Sequence, residues 1–540
     1  MLSAGSDYSN TYSSFRWLIP EYYNIAADTC DKWADGSGRL ALIQHMPDGQ
    51  VHRYSFDQLK RWSDALAAAW QIQGLKRGDR IGILLAQGLE TALAHLAAYK
   101  IGAIAMPLFT LFGTDALMYR LNDSGACALV TDQSGLDTLR PIRHQLTHLQ
   151  HIYSVDASES TATEHAFWPV LESATGTDFQ PAQTRADDPA VLIYTSGTTG
   201  SAKGALHAHR VLLGHLPGVE MSHNFLPDGQ GLMWTPADWA WIGGLLDVLL
   251  PAWHHGMPVL AHRFPKFDAQ AAWALMSEHG VTHTFLPPTA LKMLRRSPSP
   301  RTRWPLQLQS IASGGESLGA ELLQWARQEL GITINEFYGQ TECNMIVSSC
   351  SAWFPGQAGK IGKPVPGHRV AIVDETGQIL PVGSEGHIAV QRPDPVMFLE
   401  YWQRPEATSE KFAGDWLLTG DKGMLDEEGY IRFVGRNDDV ITSAGYRIGP
   451  GPIEDGLLGH HAVALAAVIG VPDPERTEVV KAFIVLKDGV EPSDELIKDI
   501  QDHIKRRVAA HEYPRIIEFV DSLPMTATGK VIRHALRQRR

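Results

Sequence analysis

The segment 194–207, YTSGTTGSAKGALH, restricts this chain more than any other stretch. Residues 190–194 are a short apolar run ending in Tyr194, which predicts a buried strand. Thr195, Ser196, Gly197, Thr198, Thr199, Gly200, Ser201, Ala202 and Lys203 follow. Glycines let a backbone turn its N–H groups onto a concave loop, and such a loop cradles phosphate oxygens. The hydroxyls add donors and Lys203 adds charge. Read alone, the tract is equally a polar surface loop, because Gly/Ser/Thr clusters mark loops in general. It is not a Walker A loop, which has Lys directly after Gly; here Ser201 and Ala202 separate Gly200 from Lys203.

A chain of 540 residues exceeds what one core sustains and predicts two or more domains. Net charge is −13, with Lys+Arg 47 against Asp+Glu 60, so no basic footprint for nucleic acid exists. A local anion site is still compatible with an acidic chain. Cys30, Cys127, Cys343 and Cys350 form no C-x-x-C, which indicates neither a zinc site nor a disulfide framework and fits a reducing cytoplasm. The first residues, MLSAGSDYSNTYSSF, lack an apolar signal core. No apolar run reaches the ~18 residues of a membrane span. The richest stretch, 239–253, carries Asp247 and Pro251 and reads as core or pocket wall.

Residues 80–85, 89–100 and 103–108 read as strand, helix and strand, a βαβ unit, and 128–131 as a further strand. Residues 1–36 read as an arm on the surface, and 133–187 as poorly patterned and peripheral. Strands at 281–286 and 310–313 run into Pro287-Pro288 and Gly314-Gly315. The alternation predicts an α/β fold with parallel sheets, whose ligands sit beyond the strands' carboxyl ends. From residue 437 the pattern changes to strands at 463–470 and 479–486 and a helix capped by Ser493, a small α+β domain.

Four more segments carry chemistry. In 335–342, NEFYGQTE, Glu342 suits a hard cation such as Mg²⁺ and Thr341 a phosphoryl oxygen, though a plain hairpin corner reads as well. Asp421, in 419–421, is a carboxylate suited to a ribose diol, or a turn. Segment 435–454, GRNDDVITSAGYRIGPGPIE, is long and charged. Segment 524–530, PMTATGK, presents Lys530, either an electrostatic catalyst or an exposed lysine of a basic tail.

In this order, across roughly residues 50–540, the five segments resemble the adenylate-forming superfamily of acyl-CoA synthetases, firefly-type luciferases and adenylation domains. They are most similar to short- and medium-chain acyl-CoA synthetases. The resemblance implies a large ATP- and acyl-binding domain, 1–436, with a β-barrel-like part, and a mobile domain, 437–540. It implies that residues 195–203 hold ATP phosphates, with Gly314, Gly315, Glu316, Glu336, Phe337, Tyr338, Gly339, Gln340, Thr341, Asp421 and Arg436 completing the nucleotide site. Glu342 becomes the Mg²⁺ ligand, Lys530 the catalytic lysine and Asp438 the hinge. Ala444, Gly445, Tyr446 and Arg447 would meet pantetheine, and Arg476, Lys505 and Arg515 the CoA phosphates. Two departures are Pro452 and Glu512, the latter standing where the family usually has a lysine before Tyr-Pro-Arg.

The implied reaction joins a carboxylic acid to ATP, releasing pyrophosphate, and then moves the acyl group to the CoA thiol after a domain rotation. Loading of a carrier-protein thiol is the alternative. Acetyl-specific relatives close the acyl pocket with Trp at position 339; Gly339 implies a deeper pocket, with Trp239, Trp241, Ile242 and Leu245 as walls or as core. The expected acid is propionate to medium-chain or small aromatic. A protein lysine acetyltransferase acting on Lys530 would remove its charge. A monomer or homodimer is expected, without nucleic-acid or integral-membrane partners.

Overall fold

The computed structural model describes the chain except residues 4, 6, 162, 196–201, 228, 298–299, 317, 437–438, 440, 444–445, 474–475, 508–512, 527–529 and 540. Two sheets of largely parallel strands dominate it, as the strand–helix alternation predicts. One runs, in spatial order, Lys363–Pro364, Cys343–Ser348, Asn335–Gln340, Ser310–Gly314, His283–Phe285, Met233–Trp234, Val259–Ala261, Leu40–His45 and Val51–Ser55. Its middle pairs are parallel, and antiparallel hairpins close both edges. The other runs Glu400–Tyr401, Lys203–Ala208, Pro189–Thr195, Ile104–Pro107, Arg80–Leu84, Ala128–Thr131, His151–Ser154 and Glu164–Ala166.

The central strands Ile104–Pro107 and Ala128–Thr131 are buried at every position, which their apolar runs require of strands covered on both faces. The βαβ unit forms as read, and its helix Leu89–Ile101 ends at Gly102 in the left-handed region, φ 71°. Segment 133–187 departs from expectation. It adds the strands His151–Ser154 and Glu164–Ala166 to the sheet and packs the helix Phe167–Ser173 beside them. These strands are too short to show a period, and stacked rings of His151, Tyr153 and His165 hold them rather than an apolar alternation.

A curled antiparallel sheet supplies the barrel-like part, with Val370–Val373, Glu385–Gln391, Trp416–Leu425, Phe412–Ala413 and Ile431–Arg436. From Ile441 onward the strands form a separate sheet around the long hairpin Val463–Asp473 and Thr477–Leu486. The helix Asp494–Arg507 covers it, started by Ser493 Oγ, which accepts the Leu496 N–H at 3.1 Å. The N-terminal arm lies on the surface as read: the Tyr8 hydroxyl donates to Pro364 O and Trp17 Nε1 to Gly367 O, each at 2.8 Å. No described helix is long and apolar enough to cross a membrane.

One buried ion cluster joins the first two long helices. Phe56–Ile72 starts at a capping box of Ser55 and Gln58 and carries Asp64. Lys100, fully buried on Leu89–Ile101, pairs with Asp64 and with Asp31 at 2.8 Å. Removing one partner strands the others in a dry interior. Lys100→Met therefore destabilises this half of the chain by about 3–5 kcal/mol, read as a lowered midpoint of the first urea transition.

Candidate active site

The strands Pro189–Thr195 and Lys203–Ala208 pair antiparallel, with Thr195 opposite Lys203. Ser196, Gly197, Thr198, Thr199, Gly200 and Ser201 lie outside the described residues, but both ends of the loop are fixed. The Tyr119 hydroxyl donates to Ala202 O at 2.8 Å, and the Tyr194 hydroxyl to Asp123 Oδ2 at 2.7 Å. Lys203 Nζ lies 5.2 Å from the ring centroid of Tyr401, a cation–π contact. The same tyrosine donates its hydroxyl to Glu342 Oε1. One side chain thus joins the lysine of the phosphate loop to the expected cation ligand. Sequence reasoning missed Tyr401, which reaches the site because Glu400–Tyr401 pairs with the strand that begins at Lys203.

Glu342 and Thr341 form the corner between Asn335–Gln340 and Cys343–Ser348, so the hairpin reading and the functional reading describe one place. Most of the segment, Asn335–Gln340, is itself strand. Glu342 is buried, and its carbonyl accepts the Phe398 N–H at 2.8 Å. Its chemistry fits Mg²⁺: a buried, acceptor-only carboxylate whose Oε1 is held by Tyr401, and which keeps a second oxygen able to ligate a hard cation. His207, on the strand Lys203–Ala208, is fully buried, and burial pushes its imidazole down to about 3, keeping it neutral.

The pleat of Asn335–Gln340 sorts its side chains. On one face the Tyr338 hydroxyl donates to Asp421 Oδ2 at 2.5 Å, and Gln340 Nε2 to Thr419 O at 2.8 Å. Lys411 Nζ donates to Gln340 Oε1 at 3.0 Å. Asp421 stands opposite Arg436 in the strand pairing, so the expected ribose carboxylate and arginine position share one rung. Glu336, on this face too, is buried and accepts the Leu318 N–H at 3.2 Å; burial raises its carboxyl to about 8. It holds the 315–319 turn against the strand. Phe337 faces the other way, its ring centroid 5.3 Å from that of Phe285, where it packs rather than meets nucleotide.

Gly315 adopts φ +93°, a conformation open to glycine, and a Cβ there would lie 3.7 Å from Lys530 Nζ. The tail lysine is therefore at the turn that follows Ser310–Gly314. Thr526 and Lys530 bond each other's backbone region, N–H to O at 2.7 Å and N–H to Thr526 Oγ1 at 3.0 Å. The small domain is seated by the Ala320 N–H on Asp455 Oδ2 and by Arg296 Nη2 on Ala464 O, each at 3.3 Å. Glu316 accepts from Thr289 Oγ1 at 3.2 Å and adds to the field that raises Arg533.

Other expected residues fall less neatly. Asp438, Ala444 and Gly445 lie outside the described residues; Tyr446 and Arg447 lie in the short strand Tyr446–Ile448. Lys505 and Arg515 meet on Tyr513, at 4.4 and 5.0 Å from its ring centroid, a cationic pair fit for phosphate. Arg476 sits at the hairpin after Asp473, its N–H on Asp473 Oδ1 at 2.8 Å. Two acyl-pocket expectations need correction. Trp239 is fully buried in the largest hydrophobic cluster and packs as core; Trp241 alone of the pair is partly exposed, against Phe109. Gly339 opens no void: a Cβ there would lie 2.5 Å from Asn344 Cα and from Met345 N, because the partner strand crosses directly over it.

Comparison with known proteins agrees with this geometry. The profile of the AMP-binding enzyme family matches residues 30–402, and that of the AMP-binding enzyme C-terminal domain residues 452–530. The chain is 34% identical to the acyl-coenzyme A synthetase ACSM3, mitochondrial, of Rattus norvegicus, over 99% of this chain and 93% of that protein. It is 32% identical to the uncharacterized acyl-CoA ligase YtcI of Bacillus subtilis (strain 168), over 97% of each. The crystal structure of the anthranilate CoA ligase AuaEII in complex with anthranoyl-AMP superimposes with a TM-score of 0.88 at 30% identity, covering 96% of this chain and 97% of that one. With Lys530 at the Gly315 turn, Lys203 and Glu342 on one tyrosine, and both family profiles matched in order, the chain belongs to the AMP-binding enzyme family and is an acyl-CoA synthetase, a ligase of ATP, Mg²⁺ and coenzyme A.

Proposed function

We propose that this enzyme activates a carboxylic acid larger than acetate, up to a medium-length chain or a small aromatic ring, in two half-reactions on one site. In the first, the acid's carboxylate attacks the α-phosphorus of ATP and pyrophosphate leaves. The reactants are both anionic, so the work is alignment and charge neutralisation. Residues 195–203 hold phosphates, Thr341 donates to a phosphoryl oxygen, and Asp421 takes the ribose hydroxyls. Glu342 would hold Mg²⁺, which supplies charge neutralisation across the phosphates when bound. Lys530 steadies the charge that builds between carboxylate and α-phosphate. The observation that carries this reading is the placement of Lys530 Nζ beside Gly315, a whole domain away in sequence.

In the second half-reaction residues 437–540 turn about Asp438, withdrawing Lys530. The 444–447 segment then guides the CoA thiol to the acyl carbon, with Lys505, Arg515 and Arg476 toward the CoA phosphates; the C–S bond forms as the acyl–AMP bond breaks, AMP leaves and the thiol proton passes to solvent. A hinge closure of this kind lets one pocket serve two acceptors. Acid size rests on kinship rather than on Gly339: the anthranilate ligase acts on an aromatic acid at 30% identity. All four cysteines are unpaired, which suits a reducing compartment such as the cytoplasm. Acylation of Lys530 by a lysine acetyltransferase would silence the first half-reaction by removing its charge.

Three measurements test these assignments. A panel of acids read by pyrophosphate release and thioester formation should rank acetate last; acetate ranking first overturns the size assignment. Lys530→Ala lowers adenylation by about 10²–10³-fold, while thioester formation from supplied acyl-adenylate falls far less; equal losses contradict the division of labour. Tyr401→Phe frees Glu342 Oε1 and raises the Mg²⁺ concentration for half-maximal adenylation by about 10–100-fold, measured by titrating Mg²⁺ at fixed ATP.

A further inference from the structure

Asp247 is a buried acid that none of the chemistry above uses. It lies on the π-helical turn Leu245–Leu249, and its side chain is 3% exposed. Oδ1 accepts from Asn344 Nδ2 at 2.8 Å, and Asn344 is its one hydrogen-bond partner among the described residues. His215 Nε2 stands 3.9 Å from the same oxygen, beyond hydrogen-bond reach. His215 Nδ1 is engaged by Val211 O at 2.7 Å, and burial lowers that imidazole to about 4, so it brings no positive charge. Burial likewise holds the Asp247 carboxyl well above the usual range, with Asn344 offsetting only part. A buried carboxyl with a single partner is costly where an apolar residue would pack.

Its surroundings point to the acyl side of the site. Asn344 is two residues past Glu342, on the strand that runs over Gly339. A Cβ at Gly339 would lie 2.6 Å from Asn344 Oδ1. A Cβ at Gly243 would lie 3.5 Å from Asp247 Oδ2, so any side chain there would cover the carboxyl. Gly243 follows the partly exposed Trp241 and faces Phe285, which packs on Phe337. A glycine therefore leaves Oδ2 uncovered on the side of the aromatic wall, and Asn344 fixes the carboxyl's orientation.

We infer that Asp247, braced by Asn344, is a recognition site for a hydrogen-bond-donating substituent, an amine or a hydroxyl, on the acyl part of the acid. This rests on the acyl-CoA synthetase reading and narrows its substrate class. An unsubstituted acid would dehydrate the carboxyl without replacing its lost hydrogen bond. Sites built to bond a polar group discriminate against analogues lacking it far better than apolar pockets discriminate by size.

The test compares matched acids with ATP, Mg²⁺ and CoA: benzoate against its amino and hydroxy derivatives at each ring position, and hexanoate against its terminal amine and terminal alcohol. The wild-type enzyme should favour its best donor-bearing acid over the unsubstituted parent by at least about tenfold in kcat/KM, chiefly through KM. Asp247→Leu should erase or reverse that preference. Asp247→Asn, with the same shape, keeps an acceptor oxygen and should retain a donor preference that Asp247→Leu loses. If the wild type forms thioesters from parent acids as well as from every donor-bearing analogue, the inference fails while the synthetase reading stands. Equal kcat losses on all acids in Asp247→Leu would mark a purely structural residue and overturn it too. Absence of thioester from any acid removes both.

Discussion

The site depends on one tyrosine. Tyr401 presents its ring to Lys203 and its hydroxyl to Glu342, so the proposed phosphate-loop cation and the proposed Mg²⁺ ligand are positioned by the same side chain. Phosphoryl chemistry between two anions needs both charges held in place before the substrates arrive, since reorganising them during reaction would raise the barrier. Neither partner could hold the other directly without forming an ion pair that cancels the two charges the nucleotide needs. An aromatic ring carrying one hydroxyl keeps them near each other and unneutralised. The antiparallel pairing of Glu400–Tyr401 with Lys203–Ala208 sets this geometry through the backbone.

The strand Asn335–Gln340 then divides labour by its pleat. Period-two alternation sends Tyr338 and Gln340 toward Asp421 and Lys411, and Phe337 toward Phe285. One face thus carries the polar contacts of the proposed nucleotide site and the other packs on aromatic rings, and the two meet at the corner of Thr341 and Glu342. Gly339 belongs to this economy for a reason of contact: Asn344 and Met345 pass too close for any Cβ. Its missing side chain permits the tight hairpin that brings Glu342 to Tyr401.

Much of this was legible in the sequence, and the limits have physical causes. Apolar strands followed by glycine turns marked the parallel sheets, because these features depend on local backbone chemistry; the family was legible in the order of the segments holding Lys203, Glu342, Asp421 and Lys530, through their resemblance to adenylate-forming enzymes. Tyr401 was not legible, since its role comes from pairing with a strand nearly two hundred residues earlier in the chain. Trp239 misled because an aromatic residue in an apolar run looks the same in a core and in a pocket wall; only its complete burial separates them. Gly339 misled because an absent side chain says nothing of what occupies its space. Asp247 was visible as a charge within 239–253, but its single partner, Asn344, is distant in sequence.

The small domain is held together by charge beside the proposed hinge. Arg533 forks onto Glu454 at 2.7 and 2.8 Å, and Arg537 reaches Asp439 at 2.8 Å. Glu454 also accepts the Val468 N–H at 2.8 Å. The last helix is thereby fastened both to the central hairpin of its own sheet and to the residue beside Asp438. By contrast, two bonds that seat it on the large domain, from Ala320 and Arg296, are long, each at 3.3 Å. Strong ties within the domain and weak ties across it are what a lysine needs if it is to reach Gly315 on a rigid carrier and then leave.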